Sequence, residues 1–197
     1  PIVAQLYGKD QDQFYRAAQV VCDLGFDGLD INMGCPSKSV AAPGSGAALI
    51  KTPDLAHAIV RAARQGLEDW AGGQSIHSQG FKPSRIAFIH TLNHSRYGVP
   101  VVPRRLLPLS IKTRLGFDCV VVERWVEHLL EARPAAITLH GRTLQQMYRG
   151  AADWSAIAEA AKLAHGTGTL MLGNGDLNTL VDAIRRAAES KVQGVLV

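Results

Sequence analysis

The segment Asn32-Met33-Gly34-Cys35-Pro36-Ser37-Lys38 holds the residue types best suited to chemistry. Glycine permits a tight turn just before the thiol and proline fixes the backbone just after it, so Cys35 is expected on a defined loop. There it can serve as a thiolate nucleophile, as a thiol acid or as simple packing, and its neighbours decide which by setting its protonation. Cys22 lies inside one apolar helical pattern and Cys119 at the start of another, where packing is the expected role. Three cysteines are an odd and sparse set without metal-ligand spacing, which argues against a disulfide framework or structural zinc and for a reducing, cytoplasmic setting. His90 and His94 stand four apart, as a metal pair on a helix would, but no carboxylate or third ligand accompanies them, so no metal is expected.

The elements that position Cys35 follow from periodicity. Short β-branched or Leu-rich runs recur, Ile2–Leu6, Gly28–Asn32, Leu109–Arg114, Ala136–His140, Leu170–Asn174 and Gly194–Val197, with a helical pattern after each of the first five. Asp10 can cap the first helix, with Gln13 three residues on and Phe14, Ala17, Val21 and Leu24 as its stripe before Gly25 stops it. Thr52-Pro53 opens the second, with Leu55, Ala58, Ile59 and Ala62 inward. Further helices fit Val120–Ala132, Trp154–Ala164 and Leu177–Glu189. Strand starts recur at roughly βαβ spacing, except between Gly28 and Leu109, where about 40 residues are inserted. That insertion, Ala71–Pro108, is punctuated by Gly72-Gly73, Pro83, Pro100, Pro103 and Pro108 and reads as a long loop.

Unbroken β-α alternation suits a doubly wound sheet or part of a (β/α)8 TIM barrel. The strand ends choose between them. Gln5, Asn32, Lys112, His140 and Asn174 each close a strand with a polar side chain on the presumed inner face, while Leu29, Ile31, Ile137 and Leu139 occupy the other. One such residue is an ordinary strand cap; five in register belong at a barrel mouth, where active sites are built. The sequence is therefore read as an α/β chain forming an incomplete barrel of about six strands.

Composition adds bounds. The chain has 197 residues, 47% apolar and 19% charged, enough apolar material for a packed core. No run approaches the roughly 20 apolar residues that span a bilayer, so no membrane contact is expected. It opens inside one strand and stops inside another, which reads as a piece of a larger domain. The net charge is +4, yet Trp70–Phe117 contains no Asp or Glu while carrying Lys82, Arg85, Arg96, Arg104, Arg105, Lys112 and Arg114. The rest of the chain is net acidic. Such a block is the footprint of a phosphate-rich partner, although a solvated loop looks the same.

Four segments in this order, Asp30-Ile31-Asn32-Met33-Gly34-Cys35-Pro36, Ile111-Lys112-Thr113-Arg114-Leu115-Gly116, Leu139-His140-Gly141-Arg142-Thr143 and Gly173-Asn174-Gly175-Asp176, resemble those of the tRNA-dihydrouridine synthases. The resemblance covers nearly the whole chain apart from the insertion. It implies an FMN-dependent reduction of the C5–C6 bond of uridine in tRNA, with NADPH as electron donor. Cys35 matches the acid that protonates C5 while hydride reaches C6. Gln5, Lys112 and His140 match flavin contacts, and Asn174, Gly175 and Asp176 match positions near the FMN phosphate. Asn32 and Arg114 are assigned to the uracil edge or nearby RNA, and Arg104 and Arg105 to the tRNA backbone, because the basic block enters the strand that bears Lys112. Arg142 is left open between a phosphate and a carboxylate. Against the family pattern, the chain lacks the first two strands, the end of the last strand and the C-terminal helical tRNA-binding domain. The competing readings are an FMN barrel acting on a small pyrimidine or dihydroorotate, and an RNA-binding barrel without catalysis.

Overall fold

Strand order decides between the two sheet architectures. The computed structural model describes residues 1–197. Its six strands are β1 (Val3–Leu6), β2 (Gly28–Met33), β3 (Leu109–Arg114), β4 (Ala136–His140), β5 (Leu170–Asn174) and β6 (Gly194–Leu196). They form one sheet in chain order, each neighbouring pair parallel. A doubly wound sheet reverses its order at a switch point; this one never does, so every crossover steps the same way. Helices α1 (Gln11–Asp23), α2 (Lys38–Ala41), α3 (Pro53–Ala71), α4 (Pro83–Tyr97), α5 (Val122–Glu131), α6 (Trp154–Ala164) and α7 (Leu180–Ser190) fill the connections.

The register carries the barrel argument further. Gln5 pairs with Asp30, two residues below Asn32; Asn32 pairs with Lys112; Lys112 pairs with Thr138, two residues below His140; and His140 pairs with Asn174. The line of polar ends thus climbs four residues across four strand pairs, about one residue per strand, the stagger of an eight-stranded barrel of shear 8. The chain is a partial (β/α)8 barrel. Its outer sheet face, Leu29, Ile31, Met33, Ile111, Ile137, Leu139 and Met171, is fully buried in one core with Ala18, Ile59, Val60, Ala63, Val126 and Ile157 from the helices. Alternation along each strand then leaves the polar residues on the inner face.

Local signals explain most boundaries. Asp10 accepts a hydrogen bond from the Gln13 N–H at 2.9 Å and starts α1, whose buried face runs through Phe14, Ala18, Val21 and Cys22. In α3 Pro53 stands in the first turn as expected, but Thr52 makes no side-chain cap. Its inward face is Ala56, Ile59, Val60, Ala63, Leu67 and Trp70, so Leu55, Ala58 and Ala62 flank the core half-buried. Helix α5 begins at Val122, which leaves Cys119 exposed on the preceding loop instead of packed. No helix is long and apolar enough to cross a membrane.

The insertion corrects the long-loop expectation. A 3-10 turn (Ile76–Gln79) and the 15-residue α4 occupy half of it. Pro83 opens α4 and Gly98, at φ 73°, closes it, a proline-and-glycine pair that marks helix ends as well as loops. Ile76, Ile86 and Ile89 form a small second core against Val20, Leu24 and Phe81. The buried Asn93 donates to the Asp23 carbonyl at 2.7 Å, fastening α4 to the end of α1.

Candidate active site

Cys35 is held by a hydrogen-bond chain that starts on the barrel floor. Ser110 Oγ donates to Asp30 Oδ1 at 2.6 Å and Gln5 Nε2 donates to Asp30 Oδ2 at 2.7 Å. Asn32 Nδ2 donates to Gln5 Oε1 at 2.9 Å, and Asn32 Oδ1 accepts from the N–H groups of Gly34 at 3.1 Å and Cys35 at 2.8 Å. Three strands therefore converge on the backbone of one residue. Burial pushes the Asp30 carboxyl above its ordinary range, while the bonds from Ser110 and Gln5 and the charge of Lys112 pull it back. On the other side the Cys35 carbonyl accepts from Ala47 N–H at 3.3 Å. A Cβ at Gly46, φ 59°, would come within 3.0 Å of that carbonyl, so only glycine lets the segment pack over the loop.

Arg114 braces the same loop. It is buried, its Nε donates to the Gly34 carbonyl at 2.7 Å, and its Nη1 reaches the Thr143 carbonyl at 3.3 Å. Lys112 lies beside it and donates to Asn174 Oδ1 at 3.3 Å. Burial, then the Arg114 charge, lowers the Lys112 ammonium from its usual value, whereas Asp30 and a thiolate at Cys35 would raise it. An anion bound here is favoured because it restores that charge. His140 is pulled down to about 4 by burial and by Arg114, Lys112 and Arg142, so it is a neutral imidazole at neutral pH.

The far side of the mouth is ordered by Arg142 and Asp176. Arg142 Nη2 donates to both carboxylate oxygens, at 2.6 and 2.9 Å, and to the Gly150 carbonyl at 2.7 Å. Asp176 also accepts from Ala152 N–H at 2.6 Å; that bond first, then Arg142, holds its carboxyl below the usual range. Arg142, open in the sequence reading, takes the carboxylate. Gly175, at φ 121°, has no room for a side chain, since a Cβ would meet Ala152 at 2.8 Å and the His140 ring at 3.0 Å.

These groups line one open cleft of about 670 Å³ at the carboxyl ends of the strands. Cys35, Gln5, Asn32, Lys112, Arg114, His140, Asn174, Gly175 and Asp176 all border it. Two placements differ from expectation in kind. Asn32 and Arg114, assigned to substrate, also brace the Cys35 loop, Asn32 with two of its three side-chain hydrogen bonds and Arg114 with one of its two. Helix α7 starts at Leu180, not Leu177, so Leu177 and Asn178 line the cleft as loop.

Arg104 and Arg105 are not brought to the mouth. They precede β3, hence sit at the amino ends of the strands. There Arg104 donates to the Trp70 and Gln74 carbonyls and covers the Trp70 ring, while Arg105 pairs with Asp27 at 2.7 Å. The expectation that the block reaches the mouth because it enters β3 fails for this reason: it enters from the wrong end. Sequence reasoning also missed Ser110 and Asp30 as supports, though their even spacing from Lys112 and Asn32 signalled the shared face. Tyr148, exposed at the rim, gave no signal at all. Cys22, by contrast, is buried as expected and its thiol is pushed up to about 12 by that burial.

Fold and site together define a β/α barrel with a cationic, polar mouth and a loop thiol, Cys35, bordering it. Comparison with known proteins makes the assignment narrower. A model of the dihydrouridine synthase (Dus) family matches residues 1–69 and 99–197, leaving out the stretch that contains α4. The chain belongs to the dihydrouridine synthase family. It is 32% identical over 200 residues to the probable tRNA-dihydrouridine synthase 2 of Bacillus subtilis strain 168, covering all of this chain and 50% of that one. A probable tRNA-dihydrouridine synthase of Staphylococcus epidermidis is 29% identical over 201 residues, with 49% of it covered. The chain thus spans about half the length of the curated relatives it matches. Among solved structures, ligand-free DHODH from Eimeria tenella superposes with a TM-score of 0.59 at 16% identity over 95% of this chain and 49% of that one. The same enzyme with ferulenol gives 0.58 at 17%, over 96% and 50%. That likeness is one of fold.

Proposed function

We propose that this chain forms the catalytic mouth of a flavin-dependent enzyme that reduces uridine to dihydrouridine in tRNA. The observation that carries the reading is the convergence of Gln5, Asp30 and Asn32 on the backbone of Cys35, beside Lys112, in a cleft at the strand ends. The donor set suits FMN: Gln5, Lys112, His140 and Asn174 offer both donors and acceptors to a heteroaromatic edge, and Lys112 favours an anionic group next to it. Asn174, Gly175 and Asp176 lie where the phosphate end would be held, with Asp176 acting through Arg142 to shape the loops. When bound, FMN reduced by NADPH supplies the hydride taken up at C6 of the uracil ring.

The remaining steps belong to the chain. Cys35 Sγ carries the proton that C5 requires, and the Asn32 turn fixes where the thiol stands. Arg114 keeps the loop from swinging by holding its carbonyl. Neutral His140 can hydrogen-bond a ligand without adding charge. Tyr148 at the rim offers a face on which an extruded base can stack. The test is to supply the purified protein with NADPH and tRNA that lacks dihydrouridine, and to read the product by mass spectrometry. Dihydrouridine in the tRNA supports the proposal. Reduction of a free pyrimidine or dihydroorotate chemistry with tRNA untouched, or a protein that binds RNA without flavin, would replace it.

A further inference from the structure

His57 of α3 and His128 and Glu131 of α5 meet on the outer wall of the barrel, and none of them borders the mouth. One ligand atom from each lies within 4.8 Å of the other two. His128 Nε2 is 2.9 Å from the Pro53 carbonyl. Only an N–H can face a carbonyl at that distance, so Nε2 carries a proton, and in the neutral ring Nδ1 keeps its lone pair. That nitrogen is 3.8 Å from Glu131 Oε2, and His57 Nδ1 is 3.9 Å from the same oxygen. With a neutral His128 ring its Nδ1 is an acceptor facing an acceptor, an arrangement that a cation between them turns into bonding. The two rings are about four-fifths covered, with side-chain exposures of 23% and 22%, and cross at 70°.

We propose that His57, His128 and Glu131 form a site for one divalent transition ion of the zinc class. Two imidazole nitrogens and a carboxylate oxygen are the ligand chemistry such ions prefer, with water completing a tetrahedron. The bond from His128 to the Pro53 carbonyl is the outer support that fixes a metal-ligating histidine in the right tautomer. Tetrahedral bonds of about 2.0–2.1 Å place neighbouring ligand atoms about 3.3 Å apart, so the two imidazole–carboxylate gaps need to close by about half an ångström and the gap between the imidazoles by up to about 1.5 Å. Glu131, whose side chain is 66% exposed, has the freedom to make the first move, and the second requires the two imidazoles to rotate toward each other. The ion ties α3 to α5, and so joins the unit that follows the Cys35 loop to the unit that follows Lys112. It stabilises the barrel wall and takes no part in the chemistry at the mouth.

The test titrates chelator-stripped protein with Zn2+ or Co2+ alone. One ion is expected to bind per chain and to raise the thermal midpoint of unfolding. Co2+ should give visible d–d absorption without a thiolate charge-transfer band, which sets the site apart from any at Cys35 or Cys119. Glu131→Gln, at an exposed position, replaces an anionic ligand with a neutral amide and should weaken binding by about 10-fold or more, and His57→Gln should abolish it. No metal-dependent shift in the parent, a thiolate band, or equal binding by both variants overturns the site and leaves a plain His–Glu contact. Dihydrouridine formation is not read, so the result stands apart from the proposed function.

Discussion

Arg142 and Asp176 meet at 2.6 Å at the carboxyl ends of the strands, and Arg105 and Asp27 meet at 2.7 Å at the opposite ends. The chemistry is the same and the settings are not. The Arg142 side chain is 8% exposed and also holds the Gly150 carbonyl, so the pair joins the loops after β4 and β5 and shapes the cleft. The Arg105 side chain is 56% exposed, in water that screens its charge, and it closes the foot of the barrel. The comparison teaches that cations adjacent in sequence acquire different meanings according to the strand end they reach. Arg104 and Arg105 precede β3, whereas Lys112 and Arg114 lie at its far end, and only the second pair enters the mouth.

The strongest way to sharpen this contrast is at Cys35. Cys35→Ala is expected to retain bound flavin, read by its absorbance, and to lose dihydrouridine formation by about 100-fold or more. Unchanged turnover would sink the acid role. The mouth should also be the end that responds to pH. Folded His140 titrates near 4 against an ordinary 6.5, so below pH 6.5 the unfolded chain takes up a proton that the folded chain refuses. Stability should therefore fall as pH drops from 6.5 to 4, by on the order of 2–3 kcal/mol, with the slope flattened in His140→Asn. Denaturant melts at several pH values check this.

Next, Arg142→Ala leaves Asp176 without its partner and should destabilise the fold by roughly 1–3 kcal/mol, while Arg105→Ala should move the unfolding midpoint far less. Equal losses would erase the distinction between the two ends. The smallest effect is expected from Arg104→Gln combined with Arg105→Gln. Both side chains serve the foot, so tRNA affinity and its salt dependence should stay close to the parent's. A clear drop in the salt slope would return these arginines to the RNA surface.

Most of the strand and helix series is legible in the sequence because apolar periodicity and caps are local signals. Leu109–Arg114, Ala136–His140, Leu170–Asn174 and Trp154–Ala164 are observed at the bounds their patterns indicate. The α4 helix is misread because proline and glycine punctuate helix ends and loops alike, and the choice was made by burial of Ile86, Ile89 and Asn93 against α1. The polar ring is legible through alternation along each strand. The roles within it are not, since whether Asn32 and Arg114 face a ligand or brace a loop depends on partners from other strands.

The sequence by itself determined the β/α series, the inward polar ends and the loop thiol, because each rests on residues a few positions apart. Tertiary structure alone decided that Asp30 and Gln5 stand behind Cys35, that Arg142 takes Asp176, and that His57 finds His128. Those relations join side chains far apart in the chain, and strand register and helix packing set their distances.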